Sequence, residues 1–195
     1  FSGVGSHWPS MGRKLRDVEP VFRNVLLRCD DIVRRLGGWS LIEAIDAPPD
    51  ESLLDRIDIM QPAIFGVQAA LAALRRSWGI EPAAVVGHSL GEYAAAHVAG
   101  AITLEEGLRA VSIRGRLMHR WRGLGRMLAV ELTPDTAREE IAGYADSVSL
   151  AAWNSPASSV LSGDPAALNE VMDRLQREGV FCRWVKVDVA CHSGQ

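Results

Sequence analysis

The most constraining feature of this sequence is the stretch Gly87-His88-Ser89-Leu90-Gly91, which matches the G-x-S-x-G pattern. It follows a short apolar run at residues 83–86 that predicts a buried parallel strand. A run of small residues at 92–99 follows and predicts a helix that stops at Gly100. A strand that turns sharply into a helix is the context in which this pattern presents a nucleophile. We therefore predict that Ser89 is a nucleophile.

The turn around Ser89 should be crowded, which explains the small residues on either side of it. Gly87 and Gly91 leave room where the strained backbone packs against the following helix. The Ser89 hydroxyl would then stand at a helix N-terminus, where backbone N–H groups favour developing negative charge. Because G-x-S-x-G also occurs by chance, the alternative is a turn without a catalytic role.

A serine hydroxyl is a poor nucleophile until a base takes its proton, and His192 is our candidate for that base. It follows the last predicted strand, where the chain should return to the part that carries Ser89. A capping or surface histidine is the alternative. His88 adjoins the nucleophile, but its side chain should point to the opposite side of the turn. His97 and His119 lie in predicted helices, where we expect structural roles, and His7 lies in the opening loop.

An attack by Ser89 on a carbonyl creates an oxyanion that needs hydrogen-bond donors. The backbone N–H of Leu90, directly after the nucleophile, is the expected first donor. The second should come from another loop, and Gly3-Val4-Gly5 can supply the N–H of Val4 because flanking glycines let the backbone come close. A simple glycine turn is the alternative.

Arg114 lies on the predicted helix that follows the small-residue helix. An arginine near an acyl pocket can hold a free carboxylate with two parallel hydrogen bonds. The alternative is a solvated helix charge, and the spacing does not choose between Arg114 and its neighbours Arg109, Arg116 and Arg120.

The helical signals of the first half predict helices over residues 20–36 and 62–78. The second of these is apolar on most sides and should be buried, with Pro62 at its first position. Thr103 and Glu106 form a capping-box pattern for a helix that reaches about His119.

The second half has a different rhythm and predicts a small α/β subdomain. Its signals alternate in the order βαββαβ, which is typical of a ferredoxin-like unit. The predicted strands cover 127–132, 148–153, 159–162 and 180–187, and the predicted helices cover 133–144 and 165–179. We therefore predict an α/β fold in which residues 126–187 form a small subdomain inserted into a larger one formed by 1–125 and 188–195.

Composition excludes several classes of protein. A net charge of -3 gives no basic surface for nucleic acid. We expect no membrane span, because no stretch approaches the ~20 apolar residues that one requires. Cys29, Cys182 and Cys191 are too few and too widely spaced for a disulfide framework or a zinc site, so a reducing, cytoplasmic setting is expected. The chain begins at Phe1, without Met, inside a glycine-rich loop, and we interpret it as a piece of a longer polypeptide.

Several motifs together resemble the acyltransferase domains of modular polyketide synthases and animal-type fatty acid synthases, the malonyl-CoA:acyl carrier protein transacylase family. The resemblance runs the whole length in order. The motifs that carry it are Phe1–Trp8 with Met11-Gly12, Gln61-Pro62-Ala63, Gly87–Glu92, Arg114–Met118, Asn154-Ser155-Pro156, Ser162-Gly163-Asp164 and Val189–Ser193.

The resemblance implies an α/β-hydrolase-like large subdomain with a ferredoxin-like insert. It implies a Ser89–His192 dyad that moves a malonyl or methylmalonyl unit from CoA to the phosphopantetheine thiol of an acyl carrier protein. Arg114 would clamp the free carboxylate of that unit, while Gln61, His88 and Asn154 would line or support the site. The implied partners are the acyl-CoA, the carrier protein and neighbouring synthase domains, and no metal or redox cofactor is implied. The family also continues beyond Gln195 with backbone that orients the base.

The resemblance leaves the extender unit open. Val189, Ala190 and Cys191 precede His192, where methylmalonyl-type members read Tyr-Ala-Ser-His and malonyl-type members read His-Ala-Phe-His. Leu90 is malonyl-like, whereas residues 56–61 are closer to the methylmalonyl pattern. One methyl group separates the two substrates and is worth roughly 1–3 kcal/mol in a pocket. Val4 also stands where the family often has glutamine, which should matter little for a backbone donor.

Two other functions remain as alternatives. A serine hydrolase or thioesterase would use the same nucleophile, but it has no need for an arginine that binds an acyl carboxylate. A non-catalytic docking module of a synthase would have no reason to keep Ser89, His192 and Arg114.

Overall fold

The computed structural model describes residues 1–194, which form two compact units. The first unit comprises Phe1–His119, and the second begins at Arg120. The predicted boundary at 125/126 lies a few residues past this division. The predicted return of residues 188–195 to the large subdomain stays a prediction, and Gln195 lies outside the described residues.

The first unit is built from helices around a buried central one. Helix α4 has an apolar surface on most sides, and its neighbours pack against it to form the core. The helices of this unit are α1 (Arg13–Val18), α2 (Pro20–Gly37), α3 (Leu41–Asp46), α4 (Ile57–Ser77), α5 (Gly91–Val98) and α6 (Leu104–His119). Helices α2 and α6 confirm the predictions, whereas the sequence signals had not indicated α1 and α3.

Helix α4 begins earlier than predicted. It starts at Ile57, so Pro62 lies inside the helix rather than at its first position, and that part of the prediction is wrong. The first turn is stabilised by the burial of Ile57 and Ile59 and by the Met60 N–H, which donates to the Arg56 carbonyl at 2.8 Å. A proline inside a helix removes one intrahelical hydrogen bond and crowds the carbonyl four residues earlier, and the burial of this turn offsets that cost.

Helix α4 is also the segment that comes nearest to a membrane span. It is long and apolar enough to cross a bilayer by length and composition, so the expectation that no stretch approaches that length is corrected. Its most apolar window is 72% buried inside the protein, which is typical of a core helix.

The start of α6 confirms the predicted capping box. The Glu106 N–H donates to Thr103 Oγ1 at 3.2 Å, and the Thr103 N–H donates to Glu106 Oε2 at 2.8 Å. Both contacts satisfy backbone donors that have no intrahelical partner.

At residues 83–86 the prediction of a buried strand is wrong. No strand is formed, and Val86 is 80% exposed. The Phe1 amino group donates to the Val86 carbonyl at 2.7 Å, and the His88 N–H donates to the Phe1 carbonyl at 2.9 Å. Pairing with the single residue Phe1 does not build the ladder of hydrogen bonds that would define a strand.

The second unit confirms the predicted βαββαβ order. Its elements are β1 (Arg126–Val130), α7 (Pro134–Glu140), β2 (Val148–Ser155), β3 (Ser158–Gly163), α8 (Pro165–Arg177) and β4 (Cys182–Trp184). The sheet is antiparallel, with strand order β2-β3-β1-β4. One face is covered by α7 and α8 around a core that includes Leu128, Leu161 and Leu168.

Two elements of the second unit are shorter than predicted. Helix α7 ends at Glu140 and is followed by a 3₁₀ turn over Ala142–Tyr144. Strand β4 covers Cys182–Trp184 rather than residues 180–187, because the Val187 N–H turns back to the Val185 carbonyl at 2.8 Å. The chain therefore leaves the sheet before the segment that carries His192.

Candidate active site

The backbone around Ser89 forms a strained turn. Ser89 has φ 52°, a left-handed conformation that non-glycine residues seldom adopt. The Gly91 N–H donates to the His88 carbonyl at 2.9 Å, and the Glu92 N–H donates to the Ser89 carbonyl at 3.0 Å, so α5 starts two residues after the serine. A Cβ on Gly87 would collide with the backbone of Gly91 and Glu92. The turn is therefore as crowded as the sequence predicted.

The opening loop lies against this turn. A Cβ added to Gly91 would collide with the Phe1 carbonyl, and one added to Gly3 would lie 3.6 Å from the Cβ of Ser89. Val4 follows Gly3 in a turn that the Ser6 hydroxyl closes by donating to the Gly3 carbonyl at 2.9 Å. The loop proposed to supply the second oxyanion donor thus contacts the nucleophile turn.

Leu90 and His88 flank the serine in different environments. The Leu90 side chain is buried, and its backbone N–H precedes the first intrahelical hydrogen bond of α5, so no carbonyl of the helix takes it. His88 is exposed, and its Nδ1 lies on the side of Gly3, 3.2 Å from where a Cβ of that glycine would be. The serine is therefore preceded by the exposed imidazole of His88 and followed by the buried side chain of Leu90.

Arg114 is held by a hydrogen bond to a buried side chain. Its Nη1 donates to Oε1 of Gln61 at 2.7 Å, and Gln61 is 0% exposed on α4. The other end of the Gln61 amide donates from Nε2 to the sulfur of Met118 at 3.3 Å. Arg114 is half-buried, so a cation held by Gln61 and with remaining donors lies at the junction of α4 and α6.

The other arginines near Arg114 differ from it in burial. Arg109 and Arg116 are exposed on α6, and Arg120 is exposed at the start of the second unit. Arg116 lines a separate groove of about 300 Å³ together with Asp58 and Ser112. Its burial and its hydrogen bond to Gln61 thus distinguish Arg114 from the other three arginines, whereas the spacing in the sequence did not.

Gly115 explains how α6 approaches α4 so closely beside Gln61. A Cβ at this position would lie 2.9 Å from the Cα of Asp58 and 3.0 Å from the Ile57 carbonyl. Arg114 and Met118 lie on either side of this close crossing, four residues apart on α6, and therefore share one face of the helix.

His192 lies in the segment that follows β4 in the second unit. It is exposed and has φ 56°, so it shares with Ser89 a backbone conformation that is rare for its residue type. Its segment is anchored upstream, where Arg122 Nε donates to Asp188 Oδ2 at 2.6 Å and the Gly123 N–H donates to the Asp188 carbonyl at 2.7 Å. Among residues 1–194, Ser10 is the third non-glycine residue with positive φ.

The predicted specificity residues of the second unit lie just before His192. Val189 is buried, while Ala190 and Cys191 are half-buried. The Ser193 hydroxyl donates to the Ala190 carbonyl at 2.8 Å and closes the turn. Asn154 lies near the end of β2 and is exposed.

The remaining histidines have structural surroundings. His97 lies on α5 with its Nδ1 3.2 Å from the Ile102 carbonyl, and its ring packs near Phe65. His119 lies 3.6 Å from Asp58, and His7 lies 3.6 Å from Asp55 with a nearly buried side chain. These surroundings agree with the structural interpretation of His97 and His119.

Within the first unit, the turn of Ser89 and Leu90 thus meets the loop of Gly3 and Val4, and Arg114 meets Gln61. The second unit carries His192, Asn154 and residues 189–191. Sequence reasoning did not indicate the contact of Met118 with Gln61, although the four-residue spacing of Met118 from Arg114 places both on one face of α6. In the part of the chain that the structure describes, no group of three or more His, Cys, Asp or Glu could hold a metal ion.

Comparisons with known proteins agree on one family. The family described as "Acyl transferase domain" matches residues 1–195. The erythronolide synthase EryA2 of Saccharopolyspora erythraea is 44% identical over 195 residues, which is 100% of this chain and 6% of that protein. The spectinabilin polyketide synthase system protein NorA' of Streptomyces orinoci is 45% identical over 196 residues, which is 100% of this chain and 5% of that protein.

Solved structures agree with these relatives. The acyltransferase domain from module 8 of the salinomycin polyketide synthase superposes with a TM-score of 0.94 at 39% identity, over 100% of this chain and 46% of its own. The malonyl CoA-acyl carrier protein transacylase of Clostridium perfringens superposes with a TM-score of 0.86 at 29% identity, over 97% of this chain and 60% of its own. These matches confirm the predicted α/β fold class. The chain spans about half the length of the first structure and a small fraction of the synthases.

Proposed function

Because the chain belongs to the acyl transferase domain family found in polyketide synthases, we propose that it loads malonyl-type extender units onto an acyl carrier protein. The observation that carries the proposal is the strained Ser89, held between two glycines at the N-terminus of α5. Strained residues of this kind cluster at active sites, where the surrounding structure compensates for their cost.

The proposed reaction proceeds through an acyl-enzyme. His192 accepts the Ser89 proton as the hydroxyl oxygen attacks the thioester carbonyl, and the tetrahedral intermediate then expels CoA, which takes the proton from His192 as its thiol. In the second half, the phosphopantetheine thiol of the carrier protein gives its proton to His192 and attacks the Ser89 ester. Ser89 recovers the proton as it leaves, so the enzyme is regenerated.

The oxyanion of each intermediate is stabilised, in this proposal, by the backbone N–H groups of Leu90 and Val4. Support comes from the N–H of Leu90, which precedes the first intrahelical hydrogen bond of α5, and from the contact of Gly3 with the Ser89 turn. Donors of this type contribute about 3–4 kcal/mol each to barrier lowering because they are oriented before the charge develops.

The malonyl-type substrate carries a free carboxylate, and we assign its recognition to Arg114. A guanidinium that is half-buried and fixed by Gln61 keeps donors available for a bidentate pair. His88 and Asn154, both exposed, are assigned to the lining of the same site. The choice between malonyl and methylmalonyl is assigned to Leu90 and to Val189, Ala190 and Cys191.

The partners follow from this chemistry. They are a malonyl- or methylmalonyl-CoA, a carrier protein and the neighbouring domains of a synthase, in the cytoplasm. The thioester supplies the reactive group, so the proposal requires no metal or redox cofactor.

Mass spectrometry of the Ser89 peptide tests the proposal. The full-length protein is incubated briefly with malonyl-CoA or methylmalonyl-CoA, digested and compared with Ser89→Ala and with Ser10→Ala, a matched serine that also has positive φ. We expect one acyl unit on Ser89, which moves to a carrier protein when that protein is added. The same adduct should form in Ser10→Ala and should be absent from Ser89→Ala. Rapid loss of the adduct to water would instead support a hydrolase, and the absence of any adduct would contradict the proposal.

A further inference from the structure

The carboxamide of Gln61 has two different ends, and each has one partner in the structure. Its oxygen accepts from Arg114 Nη1 at 2.7 Å, and its nitrogen donates to the sulfur of Met118 at 3.3 Å. A guanidinium only donates and a thioether only accepts, so these two partners together allow one orientation of the amide. In the flipped orientation, the N–H groups of the amide would face the N–H groups of the guanidinium, and two donors would meet.

Burial makes this orientation consequential. Gln61 is 0% exposed, so water cannot take over a hydrogen bond that a protein partner gives up. A buried amide nitrogen without an acceptor is unfavourable, and the amide would then relax away from the geometry that holds Arg114. The thioether is a weak acceptor, but in the crossing of α4 and α6 it is the one that the amide nitrogen contacts.

We infer that Met118 is a positioning residue: its sulfur orients the Gln61 amide, which in turn holds the Arg114 guanidinium for the substrate carboxylate. The inference rests on the proposed function, in which Arg114 binds that carboxylate. Arg114 and Met118 are four residues apart on α6 and flank the close approach at Gly115, so the relay is built into a single helix face. Met118 itself has no part in the chemical steps.

The experiment compares substrates that differ in a carboxylate. In the full-length protein, kcat/KM for loading of Ser89 is measured with malonyl-CoA against acetyl-CoA, and with methylmalonyl-CoA against propionyl-CoA. Met118→Leu conserves volume and removes the acceptor. We expect the preference for the carboxylated thioester to fall about fivefold, as for the loss of one hydrogen bond, with the uncarboxylated rate unchanged.

A matched control and a second background make the test specific. Met172→Leu removes a sulfur that packs against the core of the second unit, and it should leave the preference unchanged. In a Gln61→Leu background, Met118→Leu should cause no further fall, because the relay is already broken.

The outcomes separate the inference from the function it rests on. If the unsubstituted protein loads and prefers carboxylated thioesters but Met118→Leu behaves like Met172→Leu, the inference is overturned and the function stands. An equal fall for both thioesters would show a general packing defect and would also overturn it. If the unsubstituted protein loads neither thioester, both the proposed function and the inference fail.

Discussion

At the scale of single residues, backbone strain and close contacts mark the nucleophile. A non-glycine residue in the left-handed region costs about 1–3 kcal/mol and persists only where its surroundings fix it. Around Ser89 those surroundings are glycines whose Cα atoms contact neighbouring backbone: Gly87 against α5 and Gly91 against Phe1. The geometry of the turn therefore requires residues without a Cβ atom at positions 87 and 91.

Gly91→Ala should disrupt this turn. The added Cβ would collide with the Phe1 carbonyl, and relief of the collision should cost about 1–3 kcal/mol and move the opening loop away from Ser89. We expect the rate of acyl-enzyme formation to fall at least about tenfold, measured by the mass of the Ser89 peptide over time.

Gly143→Ala is the control for this substitution, because a Cβ there meets nothing within 4 Å and the residue does not have a positive φ. Equal rates for Gly91→Ala and Gly143→Ala would show that the turn tolerates the side chain.

At the scale of elements, one buried carboxylate joins α2 to α3. Asp30 is 6% exposed and accepts hydrogen bonds from Ser40 Oγ at 2.7 Å, from Arg34 Nε at 2.8 Å and from the Ile42 N–H at 3.1 Å. Burial by itself raises the pKa of Asp30, but the hydrogen bonds from Arg34, Ser40 and Ile42 outweigh it and lower that pKa below its ordinary value. The charged carboxylate is thus the form that the fold stabilises.

Asp30→Ala should loosen α3. The substitution removes the carboxylate to which the Ser40 hydroxyl and the Ile42 N–H donate. This loss should lower the free energy of local opening of α3 by about 1–3 kcal/mol. Hydrogen exchange of the α3 amides, measured by mass spectrometry, reports this change. Asp31→Ala, at the exposed neighbouring position, should leave the exchange unchanged.

The pH dependence has a definite sign. Because the folded-state pKa of Asp30 is lowered, its stabilising contribution is present above the unfolded pKa of about 3.9 and is lost as the pH falls through the folded value. Protection of α3 should therefore decrease below about pH 4 in the unsubstituted protein, and less so in Asp30→Ala. The same acid sensitivity in both proteins would contradict the assignment.

At the scale of the whole molecule, the proposed reaction requires residues from both units. Ser89, Leu90 and Arg114 belong to the first unit, whereas His192 and the residues before it belong to the second. Each unit has its own core, around α4 in the first and around the helix-covered face of the sheet in the second.

His192→Ala should suppress acylation although it leaves the first unit unchanged. Removal of a general base typically lowers the rate by about 10²–10⁴-fold. Mass spectrometry of the Ser89 peptide in samples quenched at successive times gives this rate. His119→Gln, on α6, is the control. Undiminished acylation in His192→Ala would mean that another group serves as the base.

The features that could be predicted from the sequence were those that depend on residues close together along the chain. The capping box of Thr103 and Glu106, the end of α2 near Gly38 and the βαββαβ order all depend on hydrogen bonds or periodicities within a few positions. The helix start at Ile57 was mispredicted because Pro62 is a strong local signal, and the burial of the preceding turn outweighed it.

The sequence by itself therefore determined the family, the order of elements in the second unit and the crowded turn at Ser89, because local chemistry specifies each of them. Tertiary structure alone decided which arginine is held, since Arg114 and Gln61 are separated by 53 positions and meet only when α6 packs on α4. It also decided that Val86 is exposed, because burial depends on which neighbours pair with a segment and not on how apolar it is.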